Sequence, residues 1–276
     1  MTTVETVHGA ESTRRFFADE LRRLRHERGL TQEQLAQRIS YSTGTVSMIE
    51  KLQRNPTPGF TEKCDEVLET GGALTRLLPL LSREAYPSWF RPFVKLEAEA
   101  VAIQEFEVQV IAGLLQTEDY ARAVLNTWPP KKTDEIEHRL AARMERQQVL
   151  TRDDPPLLSY VLDESVLRRP MGGAAVMAGQ LQHLIDVAQL PHIQLQILTF
   201  DRATNAPTDG SFFVLELPRG DRVVYVEGPA GGRLIPDRTA VQEFARAFDA
   251  ARCQALAVED SIALIARVRG ELYGDS

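Results

Sequence analysis

Residues Leu30 to Pro56, LTQEQLAQRISYSTGTVSMIEKLQRNP, can bury their apolar side chains in few ways. Leu35, Ala36 and Ile39 recur at the spacing of one helical face, and Val46 and Ile49 do so again after a break. Each stripe is preceded by a hydroxyl residue, Thr31 and then Ser42, able to accept a hydrogen bond from a free N–H of the first helical turn. The spacing predicts a helix from about Thr31 to Ile39, a tight turn, and a second helix from about Thr43 to Leu52. Small Ala36 lets the two cross closely. Ser42, Thr43, Gly44, Ser47 and Met48 then lie on or near the outward end of the second helix, the arrangement in which a helix enters a DNA major groove. Taken alone, the spacing leaves open a second, plainer reading, two helices of a small helical domain.

Charge separates these readings. The chain of 276 residues has a formal net charge of −7, which speaks against a nucleic-acid binder. Between residues 13 and 54, however, nine basic side chains face five acidic ones, so a locally basic segment is attached to an acidic body. Phosphate contact depends on the field at the contact face, so this distribution suits a DNA reader. Length and a 43% hydrophobic fraction fit two soluble folded domains. No apolar run approaches the ~18–20 residues that cross a bilayer. The start, MTTVETVHGAESTRR, lacks an apolar leader core, so a cytoplasmic protein without membrane association is expected. Cys64 and Cys253 are expected to be unpaired thiols, and no Cys/His cluster suggests zinc or another cofactor.

Residues 1–12 are expected to be a mobile tail and residues 13–80 an all-α domain. Its first helix spans about Thr13 to Glu27 on a stripe of Phe17, Leu21 and Leu24, and Gly29 ends it. NPTPGF (Asn55 to Phe60) is expected to be a turn, followed by a helix to Thr70 and a short one near Ala73 to Glu84. Residues 86–276 form a mixed α/β domain. In VAIQEFEVQVI, Val101, Ile103, Phe106, Val108 and Val110 sit among Gln104, Glu105, Glu107 and Gln109, which predicts a half-exposed strand. Thr117 caps a helix, and Asp134 with Glu137 makes a capping box for another reaching about Leu150. LLSYVLDESVL reads as a strand passing into a turn or short helix, HIQLQILTF, SFFVLELP and DRVVYVEG as further strands, Ala174 to about Leu190 as a helix, and two helices close the chain. Gly172-Gly173, Gly228 and Gly231-Gly232 are expected to be turns, and NAPTDG (Asn205 to Gly210) a flexible loop.

Asp163, Glu164, Glu216 and Glu227 stand at expected strand ends, where paired carboxylates can do acid–base or metal chemistry. Four such residues in a chain with 39 carboxylates are weak grounds for an enzyme, and none is expected. His138, His183 and His192 share no ligand or catalytic spacing; the first two are expected on exposed helix faces.

Leu30, Thr31, Gln32, Leu35, Ala36, Ser42, Val46, Ser47, Ile49 and Glu50 resemble the xenobiotic-response-element class of helix-turn-helix domains, related to phage repressors, whose pattern is L-T-Q-x-x-L-A followed by S-x-x-x-V-S-x-I-E. That class usually has Gly two residues after the I-E pair; here Leu52 stands there. The resemblance implies recognition of double-stranded operator DNA. Gln32 falls near the first base pairs or phosphates, Thr43, Gly44 and Met48 at base edges, Ser47 beside them, Thr31 and Ser42 at caps and phosphates. Arg25 and Arg54 are further phosphate candidates. Readers of this kind usually work as dimers on two half-sites, so a homodimer is expected. Beyond residue 86, GLLQTEDYARAVL, RLAARMERQQVL, YVLDESVLRRPMGG, QLQHLIDVAQLPHIQLQIL and FDAARCQALAVEDSIALI resemble, in that order, an uncharacterised domain common in actinobacteria that follows helix-turn-helix domains of this class. The resemblance implies a transcriptional regulator, or else an antitoxin-like module that neutralises a small partner protein. The core and terminal amphipathic helices of the second domain suit dimerisation, and its size suits receipt of a signal from a small cognate protein or a small molecule, a purely architectural domain being the alternative.

Overall fold

The computed structural model describes residues 5–54, 56–78, 80–81, 86–127, 133–203, 207 and 210–274, with only the backbone at 5–12 and 134. The chain divides into two compact units, Met1–Ser88 with Trp128–Glu145, and Trp89–Thr127 with Arg146–Ser276.

The first unit is helical. Helix α1 (Glu5–Glu27) starts ahead of the expected Thr13, so residues from Glu5 on are helix rather than tail. Helices α2 (Gln32–Arg38) and α3 (Thr43–Glu50) lie where their apolar stripes predict, and α4 (Pro58–Leu68) follows. Phe17, Leu21, Leu35, Ala36, Ile39, Val46, Ile49, Phe60, Cys64 and Leu68 form one buried core. NPTPGF is only partly a turn: Pro58, Gly59 and Phe60 are the first turn of α4, and Thr57 Oγ1 accepts from Phe60 N at 3.3 Å. A proline at the first helical position gives up no N–H that the helix would use, and its fixed φ is already helical. Asn55 lies outside the described residues. Of the helix expected near Ala73 to Glu84, a 3-10 turn at Thr75–Leu77 is present, and residues 82–85 lie outside the described ones.

Helix α5 (Arg91–Glu99) opens the second unit, followed by β1 (Ala102–Glu107), α6 (Glu118–Leu125), α7 (Thr133–Arg146) and β2 (Leu157–Asp163). Residues of α7 as far as Glu145 group with the first unit, and Arg146 with the second. The helix starts at Thr133, so Asp134 lies inside it rather than at its cap, and its side chain is outside the described ones. Next come α8 (Ser165–Arg168), α9 (Ala174–Val187), β3 (Ile193–Leu198), β4 (Phe212–Glu216), β5 (Arg222–Gly228), β6 (Gly231–Ile235), α10 (Arg238–Gln254) and α11 (Val258–Tyr273).

The six strands form one mixed sheet in the order β3-β2-β1-β4-β5-β6. β1, β2 and β3 are parallel, each joined to the next by a crossover that contains helices, as parallel pairing demands. β4, β5 and β6 run antiparallel. One face packs on α5, α6, α9 and α11 through Phe93, Tyr120, Leu181, Leu184, Ile265 and Val268. The other face carries α10, whose Val241, Phe248 and Ala251 meet Phe106, Val161 and Val224.

Two strand expectations are corrected. β6 begins at Gly231-Gly232, a pair read above as a turn; a Cβ on Gly232 would lie 2.0 Å from the Tyr225 hydroxyl, so this strand needs glycine there. β1 is not half-exposed, because Glu105 and Glu107 are buried with Ile103 on one face while Phe106 is buried on the other. Helices cover both faces of that strand, so alternation of polar and apolar residues does not mark an exposed side here. The loop at 205–210 lies almost wholly outside the described residues.

Candidate nucleic-acid interface

Each helix of the α2–α3 pair is set by its own cap. Thr31 Oγ1 accepts from Gln34 N at 3.1 Å while Gln34 Oε1 accepts from Thr31 N at 2.8 Å, a complete capping box. Ser42 Oγ accepts from Thr45 N at 3.1 Å and lies 2.9 Å from Thr45 Oγ1. Val46, Ile49 and Glu50 turn inward. Thr43, Gly44 and Met48 are exposed and Ser47 is half-buried, so these four form the outward face of α3. A methyl, a bare backbone, a hydroxyl and a thioether suit close approach to base edges and thymine methyls.

Beneath that face Arg25 of α1 grips Glu50 at two points, Nε to Oε1 at 2.6 Å and Nη2 to Oε2 at 2.9 Å, while Arg25 Nη1 donates to Leu30 O at 2.7 Å. Gln32 Nε2 donates to Glu50 Oε2 at 2.8 Å. Burial works to raise the Glu50 carboxyl, but hydrogen bonds from Arg25 and Gln32 and the charges of Arg25 and Arg22 outweigh it and hold it below the usual carboxylate range. Arg25 is 5% exposed, which corrects its expected role: it cannot reach phosphate because its guanidinium is spent inside the domain. Gln32, also expected at the DNA, commits an amide N–H inward and is half-buried.

The carboxyl end of α3 is held by arginines of α1. Arg22 Nη2 donates to Glu50 O at 2.7 Å and Arg14 Nη2 to Leu52 O at 2.8 Å, matching cations to the negative end of the helix. Leu52 has φ +64°, the left-handed conformation in which glycine is most at ease. The departure from the family pattern is therefore one of residue and not of backbone: the chain still turns there, with Gln53 N donating to Met48 O at 2.7 Å. Around α2 and α3, Arg38, Lys51 and Arg54 are exposed cations that can reach phosphate. Of these only Arg54 was singled out above; Arg38 and Lys51 were visible as charges, but burial, not sequence, separates them from Arg25.

In the second unit the four expected carboxylates each serve structure. Asp163 Oδ1 accepts from Ser165 N at 2.9 Å, Glu164 pairs with Arg168 at 2.7 Å and accepts from Phe200 N, Glu216 pairs with Arg222 at 2.6 Å, and Glu227 accepts from the Tyr225 hydroxyl at 3.2 Å. The acids with unusual environments are others, Glu97, Glu105 and Glu107, all buried and all raised chiefly by burial. Their polar identity hid them. His138 and His183 are half-buried, correcting their expected exposure, and His138 is pushed down to about 4 by burial and the nearby charges of Arg14 and Arg139. Cys64 and Cys253 are free thiols, and burial pushes Cys64 up to about 12. Among the described residues no group of three metal-ligating side chains is present and no helix is long and apolar enough to cross a membrane.

Two capped helices around a tight turn, with an outward second helix, define a DNA-binding regulator of the helix-turn-helix class. A helix-turn-helix domain family matches residues 17–78. A second family, described as a domain of unknown function (DUF5753), matches residues 90–267, more than half of the chain, and the protein belongs to it. No curated protein and no solved structure matches.

Proposed function

We propose that the protein is a sequence-specific transcriptional regulator of the xenobiotic-response-element class that reads double-stranded operator DNA with α3. The carrying observation is the outward set Thr43, Gly44, Ser47 and Met48 on a helix whose inner side is pinned by Arg25 and Glu50. The protein acts as a homodimer on two half-sites, because one such helix reads few base pairs. The DUF5753 domain supplies the dimer and receives a signal, from a small molecule or a small cognate protein, and it binds rather than catalyses; the structural roles of Asp163, Glu164, Glu216 and Glu227 support that reading.

Titration against a pool of genomic fragments tests the DNA reading. The native chain should select a defined subset, and the double variant Thr43→Arg, Met48→Glu should change or lose that selection. Unchanged selection would remove α3 as the reader. Sedimentation at micromolar concentration tests the dimer. Co-purification from the protein's own cells, followed by operator titration with the recovered component, tests the signal.

A further inference from the structure

Among the described residues, the interior of the DUF5753 domain holds buried acceptors that receive no hydrogen bond. Along one sheet row, Tyr160 on β2, Glu105 on β1, Phe213 on β4 and Tyr225 on β5 are register neighbours and share a face. Glu97 of α5 and Arg146 reach the same region, where the charges of Glu97, Glu107 and Arg146 are all felt at Glu105. Glu97, Glu105 and Tyr160 are each 1% exposed. Among the described residues, both oxygens of each carboxylate and the Tyr160 hydroxyl receive no hydrogen bond. Arg146 Nε lies 2.9 Å from Glu97 Oε2, close as an ion pair but without the alignment of a hydrogen bond. Glu107, by contrast, accepts from Ser211 Oγ at 2.6 Å. Aromatic rings border the row: Phe93 stacks on Tyr225 at 4.3 Å and meets Phe213 at 4.8 Å and Phe90 at 5.2 Å.

Arg146 brings a guanidinium to this region, yet among the described residues no donor reaches the oxygens of Glu105 or the Tyr160 hydroxyl. Buried polar groups are nearly always hydrogen-bonded, and four carboxylate oxygens with a phenol in one place depart from that rule together. A carboxylate and a hydroxyl beside ring faces recognise a protonated amine, which supplies directed donors to the oxygens and charge to the rings. An anion is excluded by the surplus of acids, and near-complete burial restricts the ligand to a few heavy atoms. We propose that Glu105 and Tyr160, with Glu97 beside them and the Phe93 and Phe213 rings as walls, bind a small protonated amine, ammonium being the smallest member. Arg146 ends α7, whose preceding residues group with the helical unit, so the chain itself runs from this cluster to that unit. The link from amine binding to operator binding rests on the signal-receiving role proposed above.

The test uses the full-length chain at pH 8 and compares ammonium chloride and methylammonium chloride with potassium chloride at equal ionic strength. Potassium ion carries the same charge without N–H donors. At a hundredfold excess over Kd the amine salts should raise the unfolding midpoint by about 5–10 °C beyond potassium. Glu105→Gln, which keeps the shape of a neutral acid, should abolish the difference. Tyr160→Phe should weaken amine affinity by about tenfold, the worth of one buried hydrogen bond. Equal responses to potassium and the amines, or an amine response that survives Glu105→Gln, would overturn the proposal and leave Glu105 a protonated core acid. Should Glu105→Gln fail to fold, unchanged affinity in Tyr160→Phe would overturn it equally. Operator titration with and without amine separates the two readings. Amine binding that leaves operator affinity unchanged keeps the site and removes its signalling role. An absence of amine binding removes the site and leaves signal reception to the co-purification test.

Discussion

Arg25 and Glu50, far apart in the chain, meet as a two-point ion pair with both side chains almost completely buried, 6% and 1% exposed. The pair joins α1 to the last residue of α3 and takes in Gln32 from α2, so one carboxylate fixes three helices at once. The orientation of the outward α3 face depends on it.

Removing one partner should therefore cost much more than removing both. Arg25→Met leaves Glu50 charged and buried and should destabilise the helical unit by about 3–5 kcal/mol, whereas Arg25→Met with Glu50→Leu should recover most of that loss. Urea unfolding of the two variants measures the difference. Equal losses would mean that the pair is not acting as a unit.

Leu52 tests the backbone argument. The left-handed region costs a non-glycine residue about 1–2 kcal/mol, and a half-buried leucine returns about 1 kcal/mol by packing. Leu52→Gly should thus change stability by less than about 1 kcal/mol, one effect offsetting the other. Leu52→Val keeps much of the apolar area but stiffens a side chain that tolerates this φ poorly, and should lose about 1–2 kcal/mol more than glycine does. Matching unfolding midpoints for valine and wild type would refute the strain.

The two units should respond to pH in opposite directions. Burial, with the charge of Glu227, raises Glu107 to about 7 against hydrogen bonds from Ser211 and the amides of Val108 and Gln109; Glu105 beside it is raised as well. A folded value above the unfolded one means stability that is full below the ordinary carboxylate range and lost as pH rises to about 7, about 3 kcal/mol for Glu107. Glu50 is lowered in the fold, so its contribution is present above the ordinary range and lost as pH falls through its folded value. Hydrogen exchange of β1 and of α3 between pH 4 and pH 8 should show strand protection falling with pH, and helix protection lost only on the acid side. Glu107→Gln should flatten the strand profile; an unaltered profile would remove Glu107 as its source.

The short helices were legible because their determinants are local. Thr31 and Ser42 cap within one turn, Val46 and Ile49 repeat within one helix, and Gly29, Gly71 and Gly72 stand at positive φ where the chain turns. The same locality placed Thr117 and the strands at Leu157–Asp163, Ile193–Leu198, Phe212–Glu216 and Arg222–Gly228. Residues whose meaning lies in distant partners were not legible. Arg25 looked like one more surface cation until Glu50 arrived beside it from across the domain. Glu105 and Glu107 looked like the wet side of a strand, because nothing in VAIQEFEVQVI tells that helices will cover both faces of the sheet. Gly231-Gly232 looked like a turn until the Tyr225 hydroxyl required the space. Sequence by itself determined most of the helices and strands and the caps at Thr31, Ser42 and Thr117, since backbone hydrogen bonding and apolar period are settled within a few residues. Only the tertiary structure decided which charges are buried and against what, since desolvation is set by packing from elements far away in the chain.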